Sequence, residues 1–491
     1  MTSTHPLPAA VTETHISVLV SIGDRVFKLQ KPVTMDFLDF STLHARRAAC
    51  HREVELNRRF APDVYLGVAD IVGPDGQVCD HLVVMRRMPA ERRLATLVTG
   101  GCDVDDHVRD IAHVVAAFHA SARTSAAIAE DASPDAVRGN WDASFAQLQP
   151  FVGPVLDGAN CARVEALVQR YVDGRLPLFR QRVAEGRVRD CHGDLQAEDI
   201  FCLDDGPRIL DCLEFDDRLR HCDVLADVAF LAMDLERLGS PKGARRFLDL
   251  YRELSAETYP RTLAHHYIAY RAHVRAKVAC LRHDQGDAAA SARASSLLEL
   301  TLRHLEHGRV VVVVVGGLPG TGKSTLAAGI ADAKGWSVLR SDEVRKDVVG
   351  LGHSEHAGSA CGEVIYRPEL TEATYRTLLD RSRRAVSLGE PVVLDASWTD
   401  ARWRAAVAGL ARETTSDFVE LRCVAPAGLA AKRIARRAEV GADPSDATPA
   451  VAAAMASVSD AWPSAVEIDT SGMPERSLGQ ALAVVAGSTG A

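Results

Sequence analysis

The sequence predicts two folds in tandem: a bilobal α+β unit over residues 1–305 and an α/β unit with a parallel sheet over residues 306–491. Three observations carry this. Short β-rich runs flank a single helical stretch in the first ninety or so residues. Mainly helical patterns follow. From Arg309 onward strands and helices alternate, as they do in a parallel α/β sheet.

The elements follow in order. Residues 16–31 read as two β-runs joined at Gly23-Asp24, hence a hairpin. Leu43 to Phe60 is helical and closes at Ala61-Pro62. Strands are expected around Tyr65–Val72 and His81–Met85, separated by the turn Gly73-Pro-Asp-Gly76. Leu94 to Gly186 is mainly helical, residues 199–214 return to short strands, and residues 224–306 are helical again, with an alanine/serine-rich interruption at Gly286–Ser296. The boundary falls near Glu306, just before the valine run Val310–Val315, the strongest strand signal in the chain. Trp336–Leu339, Val392–Asp395 and Phe418–Val424 are the further strand candidates.

A 491-residue chain with 47% hydrophobic and 25% charged residues is ordinary for a globular protein. No apolar run is long enough to span a bilayer, and the amino terminus lacks the basic and apolar regions of a signal peptide. Eleven cysteines without a C-x-x-C pair suggest a reduced, cytoplasmic protein rather than a zinc or disulfide framework. The net charge of −9 argues against a nucleic-acid partner. Between Asp190 and Glu236 there are fourteen acids and only three arginines, Arg208, Arg218 and Arg220. Carboxylates so dense repel one another unless they are solvated or meet a cation.

Gly317-Leu318-Pro319-Gly320-Thr321-Gly322-Lys323-Ser324 is a P-loop, preceded by the valine strand and followed from Thr325 by a helix. Glycines let backbone N–H groups curl around phosphate oxygens, and the helix start adds partial positive charge. Lys323 is placed to reach the β- and γ-phosphates of ATP, and Ser324 to ligate Mg²⁺. Asp342 and Arg345 follow the second strand, where ligands bind in parallel sheets; Asp342 suits a base for an acceptor hydroxyl, Arg345 a grip on the acceptor. Asp395 ends a hydrophobic strand and suits Mg²⁺ or its water. Arg433 and Arg437 share a helical face, four residues apart, and could neutralise a transferring phosphoryl group.

On Gly317–Thr325, Ser341-Asp-Glu-Val-Arg345, Asp395-Ala-Ser-Trp398 with Arg402 and Arg404, and Arg433-x-x-x-Arg437, this segment resembles the small-molecule P-loop kinases of the gluconate kinase, polynucleotide kinase and zeta-toxin kind, a group that includes proteins called AAA family ATPases. The resemblance implies an acceptor site at Asp342 and Arg345 and an arginine lid.

A second constellation lies upstream: His192-Gly-Asp194, Asp199, and Ile209-Leu-Asp211-x-x-Glu214. Phosphoryl transfer needs one carboxylate near the acceptor hydroxyl and another holding Mg²⁺ on the ATP phosphates. The pattern resembles the aminoglycoside phosphotransferase/choline kinase family, whose fold is protein-kinase-like. That resemblance makes Asp194 the catalytic aspartate, Asp211 and Asp199 the metal ligands, and Lys28, paired with Glu53, the phosphate lysine; Lys31 competes for the lysine role. Met85–Pro89 would link the lobes, Asp223 and Asp227 match the tail of the pattern, and His192 is expected to hydrogen-bond structurally. Two departures stand out. Asp199 replaces the family's asparagine, and Ser21-Ile-Gly-Asp24 is a meagre phosphate-covering turn.

Three readings follow. The first is a bifunctional ATP-dependent phosphotransferase acting on small hydroxylated molecules at two sites. The second keeps the P-loop kinase and makes the first unit a regulatory pseudokinase. The third is a kinase of nucleic-acid 5′ ends. Part of the acidic run is expected to face metal and part to receive a cationic acceptor, with antibiotic resistance as one outcome. Neither acceptor, nor the oligomeric state, nor any coupling between sites is written in the sequence.

Overall fold

The computed structural model describes residues 9–13, 16–35, 38–352, 367–440 and 448–487. The chain divides into two compact units. One comprises Met1–Val164, Phe179–Tyr259 and Ala264–His304; the other comprises Glu165–Leu178, Pro260–Leu263 and Leu305–Ala491.

The first unit opens with an antiparallel sheet of five strands, β1 (Ala9–Glu13), β2 (Ser17–Ile22), β3 (Arg25–Gln30), β4 (Tyr65–Val72) and β5 (Val78–Arg86), in the order β1-β2-β3-β5-β4. β2 and β3 form the expected hairpin, and Gly23 turns it with a φ of 60°. β1 was not anticipated. Helix α1 (Leu43–Asn57) starts at Thr42, whose hydroxyl accepts from Ala45 N. It covers the sheet with Cys50 and Val54, which pack with Val64, Tyr65, Val83 and Met85.

A mainly helical part follows. The hairpin β6 (Ile200–Leu203) and β7 (Gly206–Ile209) carries the acid-bearing loops, and Phe201 and Leu210 join the α1 core. Helix α2 (Val224–Arg237) is buried from Val224 to Leu235, which makes it the central post of this part. Helices α3 (Arg261–Asp284) and α4 (Ala290–His307) close it. The expected interruption at Gly286–Ser296 shrinks to residues 285–289, because alanine is a strong helix former and α4 already begins at Ala290.

The second unit is a five-stranded parallel sheet: β8 (Val311–Gly316), β9 (Ser337–Arg340), β10 (Val392–Asp395), β11 (Asp417–Val424) and β12 (Val466–Asp469), in the order β9-β10-β8-β11-β12. Every residue of β8 is buried, as the valine run requires of a central strand covered on both faces. β12 was missed because Val466-Glu-Ile-Asp469 offers only two apolar residues. Helix α5 (Lys323–Lys334) packs Leu326, Ala327 and Ile330 onto the sheet. Helices α6 (Ser341–Val349), α7 (Pro368–Ser387), α8 (Ala401–Glu413) and α9 (Ala427–Val440) complete the surroundings of the loop. Within this unit the buried Arg175 guanidinium donates to Val386 O at 2.6 Å and Thr414 O at 3.0 Å, both beside helix ends whose carbonyls need donors. Among the described residues no helix is long and apolar enough to cross a membrane.

Candidate functional site

In the first unit, Lys28 on β3 lies 2.8 Å from Glu53 Oε1 of α1 and 3.1 Å from Asp211 Oδ1. Gln30 holds the other Glu53 oxygen at 3.1 Å. Lys28 and Glu53 are buried, whereas the Asp211 side chain is 49% exposed, so the triad opens outward at Asp211. Burial works against the Lys28 charge, but Asp211 and Glu53 outweigh it and keep the ammonium protonated well above its usual range. Lys31 instead pairs with Glu13 at 2.6 Å, which leaves the central role to Lys28.

Asp211 has a φ of 62°, an uncommon conformation for a residue with a Cβ. Its N–H donates to the Tyr65 hydroxyl at 3.2 Å, and the next N–H, of Cys212, donates to Asn57 Oδ1 at 2.8 Å. Tyr65 and Asn57 therefore aim Asp211. The sequence did not single them out, because their role exists only once α1, β4 and the acid loop meet.

The loop His192-Gly-Asp194 hangs from Asp227 of α2, which accepts from His192 N at 3.1 Å, Gly193 N at 2.8 Å and His119 Nε2 at 3.1 Å. Gly193 is required here: its φ is 86°, and a Cβ would lie 3.1 Å from Arg220 Cγ. Burial lowers His192 to about 4, so its ring is neutral and hydrogen-bonds Leu210 O at 3.1 Å. His119, Cys191 and Asp227 form the one group with metal-ligand spacing among the described residues. The Asp227 oxygens already take these N–H donors, so the group reads as loop support. Asp223 is likewise occupied, by Arg182 at 2.7 Å.

Ten of the fourteen acids between Asp190 and Glu236 meet an arginine or histidine. The run looked unopposed because several partners come from far away in sequence, among them Arg52, Arg59, Arg92, Arg93 and Arg182. Asp194, Asp199, Asp211 and Glu214 are the four left over. Burial raises the Asp194 carboxyl to about 6, with Arg275 and Arg271 pulling it back and Asp211 adding to the rise. Burial, then Asp211 and Asp194, push Asp199 well above the carboxylate range. Glu214, quoted in the motif but given no role there, rises to about 8 through burial and its Glu53 and Asp211 neighbours, against the pull of Lys28. Carboxylates that repel one another around a half-exposed Asp211 fit a divalent cation, which would relieve the repulsion.

In the second unit the loop after β8 has its backbone shaped by glycine. Gly317 has a φ of 143°, and a Cβ there would lie 2.6 Å from Thr321 Oγ1 and 2.8 Å from Cys423 O. At Gly320 (φ 80°) a Cβ would lie 2.4 Å from Ala430 O. Gly322 (φ 84°) turns directly into α5, so Lys323 and Ser324 open that helix. Leu318 and Pro319 span the loop, where Thr321 N and Oγ1 both donate to Leu318 O, at 3.2 and 2.8 Å. Thr325 is exposed on the first turn.

Register places Asp395 beside both Val315 and Arg340 at the carboxyl end of the sheet. Burial raises its carboxyl, while Lys323, the Ser324 hydroxyl and Arg340 oppose the rise. Arg340 Nε stands 3.3 Å from Oδ2, and Oδ1 is buried without a hydrogen-bond partner. A buried oxygen without a partner, on a carboxylate that feels Lys323 and Ser324, fits a Mg²⁺ ligand or a ligand to its water. Asp342 and Arg345 lie one turn apart on α6; Arg345 donates to Thr371 Oγ1 of α7 at 3.2 Å. The hydroxyl of Tyr375 on α7 meets Ser397 Oγ at 3.3 Å, so α7 touches both α6, through Thr371, and the loop after β10. Arg433 of α9 donates through Nη2 to Thr470 O at 2.7 Å. Its Nη1 is buried without a partner and stands 3.5 Å from where a Cβ of Gly322 would be. The Arg437 side chain lies outside the described residues. Arg404 serves the fold, donating to Trp398 O at 2.7 Å, and Arg402 pairs with Glu372 at 3.1 Å.

Residues 312–461 match the family model described as an AAA domain. The uncharacterized protein Rv2004c of Mycobacterium tuberculosis is 43% identical over 471 residues, covering 96% of this chain and 94% of its own. A choline/ethanolamine kinase family protein of Mesorhizobium loti is 12% identical at a TM-score of 0.37, over 62% of this chain and 94% of its own. A gluconokinase of Sinorhizobium meliloti is 17% identical at a TM-score of 0.27, over 36% of this chain and 91% of its own. Neither structural likeness is close.

Proposed function

This chain belongs to the family of the mycobacterial protein it matches along nearly its whole length, and we propose that it is a bifunctional phosphotransferase that moves the γ-phosphoryl group of ATP to hydroxyl groups of small molecules at two sites. The observation that carries the reading is the Lys28 triad, with the Asp194 carboxyl within the field of its Asp211, in a chain that also holds a P-loop.

In the first unit Lys28, held by Glu53, binds ATP phosphate oxygens. The acceptor hydroxyl oxygen attacks the γ-phosphorus, the bond to the β-phosphate oxygen breaks, ADP leaves, and the hydroxyl proton passes to Asp194. A carboxyl raised to about 6 is ionised at neutral pH yet basic enough to take that proton. Asp211 and Asp199 would hold Mg²⁺, which spreads the charge of the phosphates when bound.

In the second unit Lys323 and the N–H groups at the start of α5, from Gly322 on, receive the phosphates. Ser324 and Asp395 would hold Mg²⁺. Asp342 takes the acceptor proton, Arg345 orients the acceptor, and the open Nη1 of Arg433 meets charge on the transferring group.

One observation favours a second reading of the first unit, a nucleotide-sensing pseudokinase. Asp199 adds a third carboxylate where a neutral ligand would burden ATP less, and its own carboxyl is pushed up by Asp211 and Asp194. Acceptor-dependent ADP release across sugars, polyols and amino alcohols tests the choice. The bifunctional reading requires Asp194→Asn to cut release for one acceptor set by about 10²–10⁴-fold; release indifferent to this substitution leaves the sensor.

A further inference from the structure

Two arginines of α3 approach the loop that carries Asp194. Arg271 on α3 is buried and donates through Nε to Ala226 O at 3.0 Å and through Nη1 to Gly193 O at 3.3 Å, which clamps the residue just before Asp194. Its guanidinium also lies 4.8 Å over the Phe230 ring, so it has no freedom to reach a ligand. Arg275 follows it by four residues, one helical turn, and so shares its face of α3. Arg275 is half-buried and makes no hydrogen bond or ion pair among the described residues. It is also the cation whose field acts most strongly on the Asp194 carboxyl.

The acids tell the complementary story. A cationic acceptor would need carboxylates to spare. The acidic run has none, because ten of its fourteen members are paired with arginine or histidine, and the four others are the base Asp194 and the Asp199, Asp211 and Glu214 carboxyls committed around it and Lys28. An unpaired, partly desolvated guanidinium beside the catalytic carboxylate suits a carboxylate or phosphate oxygen, which its fork can take with two N–H donors.

We propose that the acceptor of the first unit is anionic, a hydroxylated molecule bearing a carboxylate or phosphate group, and that Arg275 binds that group and sets the specificity. This rests on phosphotransfer at Asp194, and it reverses the sequence-based expectation of a cationic acceptor. Arg275 does no chemistry. It holds the anionic end so that the hydroxyl meets Asp194 and the γ-phosphorus.

The test uses the full chain carrying Lys323→Ala, so that P-loop turnover is silenced. ADP release is measured with glycerate, gluconate, glycerol phosphate and ribose phosphate; with the neutral glycerol and ribose; and with the cationic ethanolamine, choline and kanamycin. The proposal expects release with members of the anionic set, carboxylated or phosphorylated members preferred according to which group Arg275 takes. Adding Arg275→Gln should raise KM for those acceptors by about tenfold or more while kcat changes by less than about threefold, and Arg275→Lys should recover part of the loss. Release restricted to neutral or cationic acceptors, or a KM untouched by Arg275→Gln, overturns the anionic assignment and leaves phosphotransfer standing. Release with no acceptor, or release that survives Asp194→Asn, overturns the phosphotransfer reading itself, and the anionic assignment with it.

Discussion

The two units prepare for phosphate by opposite means. The second uses backbone: three glycines with left-handed or otherwise special φ values bend a loop at the end of a valine strand and lead it into the start of α5. The first uses side chains: one lysine stands among the carboxylates of Glu53, Asp211 and Glu214, steadied by groups from α1, β4 and α2. A backbone cradle needs contiguous residues. A side-chain cradle needs residues from anywhere, and depends on the fold to assemble them.

Four perturbations sharpen that contrast, from the largest effect to the smallest. Lys323→Ala should reduce turnover of second-unit acceptors about a thousandfold without altering turnover at Asp194, measured by acceptor-specific ADP release. Glu53→Ala should destabilise the first unit by about 3 kcal/mol or more, because it leaves Lys28 buried with only a half-exposed partner. Denaturant unfolding followed by a probe confined to each unit reads that loss, and the P-loop unit should keep its own transition.

Gly320→Ala comes next. Its Cβ would lie 2.4 Å from the Ala430 carbonyl at a φ of 80°, so the loop must shift away from α9. Nucleotide affinity of the second unit should fall by about tenfold to a hundredfold, measured by titration calorimetry, while the first unit binds as before.

The smallest effect is one of pH. Asp194 must be ionised to accept a proton, so first-unit kcat/KM should decline about tenfold per pH unit below its value of about 6. The stability consequence has the opposite sign. Burial raises this carboxyl above its unfolded value, so its ionisation opposes folding at neutral pH, and the opposition fades as pH falls through about 6. Asp194→Asn should therefore fold at least as well as the parent while losing activity.

Legibility followed the same division. Gly317–Ser324 and the valine strand could be read directly, since each step of the loop's chemistry is a neighbour of the last. His192-Gly-Asp194, Asp211 and Lys28 were found through a family resemblance, because nothing local connects residue 28 to residue 211. The pairing of the acidic run could not be read for the same reason: its partners, such as Arg52 and Arg182, lie 165 and 41 residues from the acids they meet. Tyr65, Asn57 and Tyr375 carry no signal of their own. They are ordinary residues until the fold turns them toward a loop.

The most direct test of two independent sites is acceptor-dependent ADP release from Asp194→Asn, from Lys323→Ala and from the double variant, each against both acceptor sets. Each single variant should lose one acceptor set and keep the other, and the double variant should lose both. If Lys323→Ala alone abolishes all transfer and Asp194→Asn alone abolishes none, the chain has one active site, and the account of the first unit is wrong.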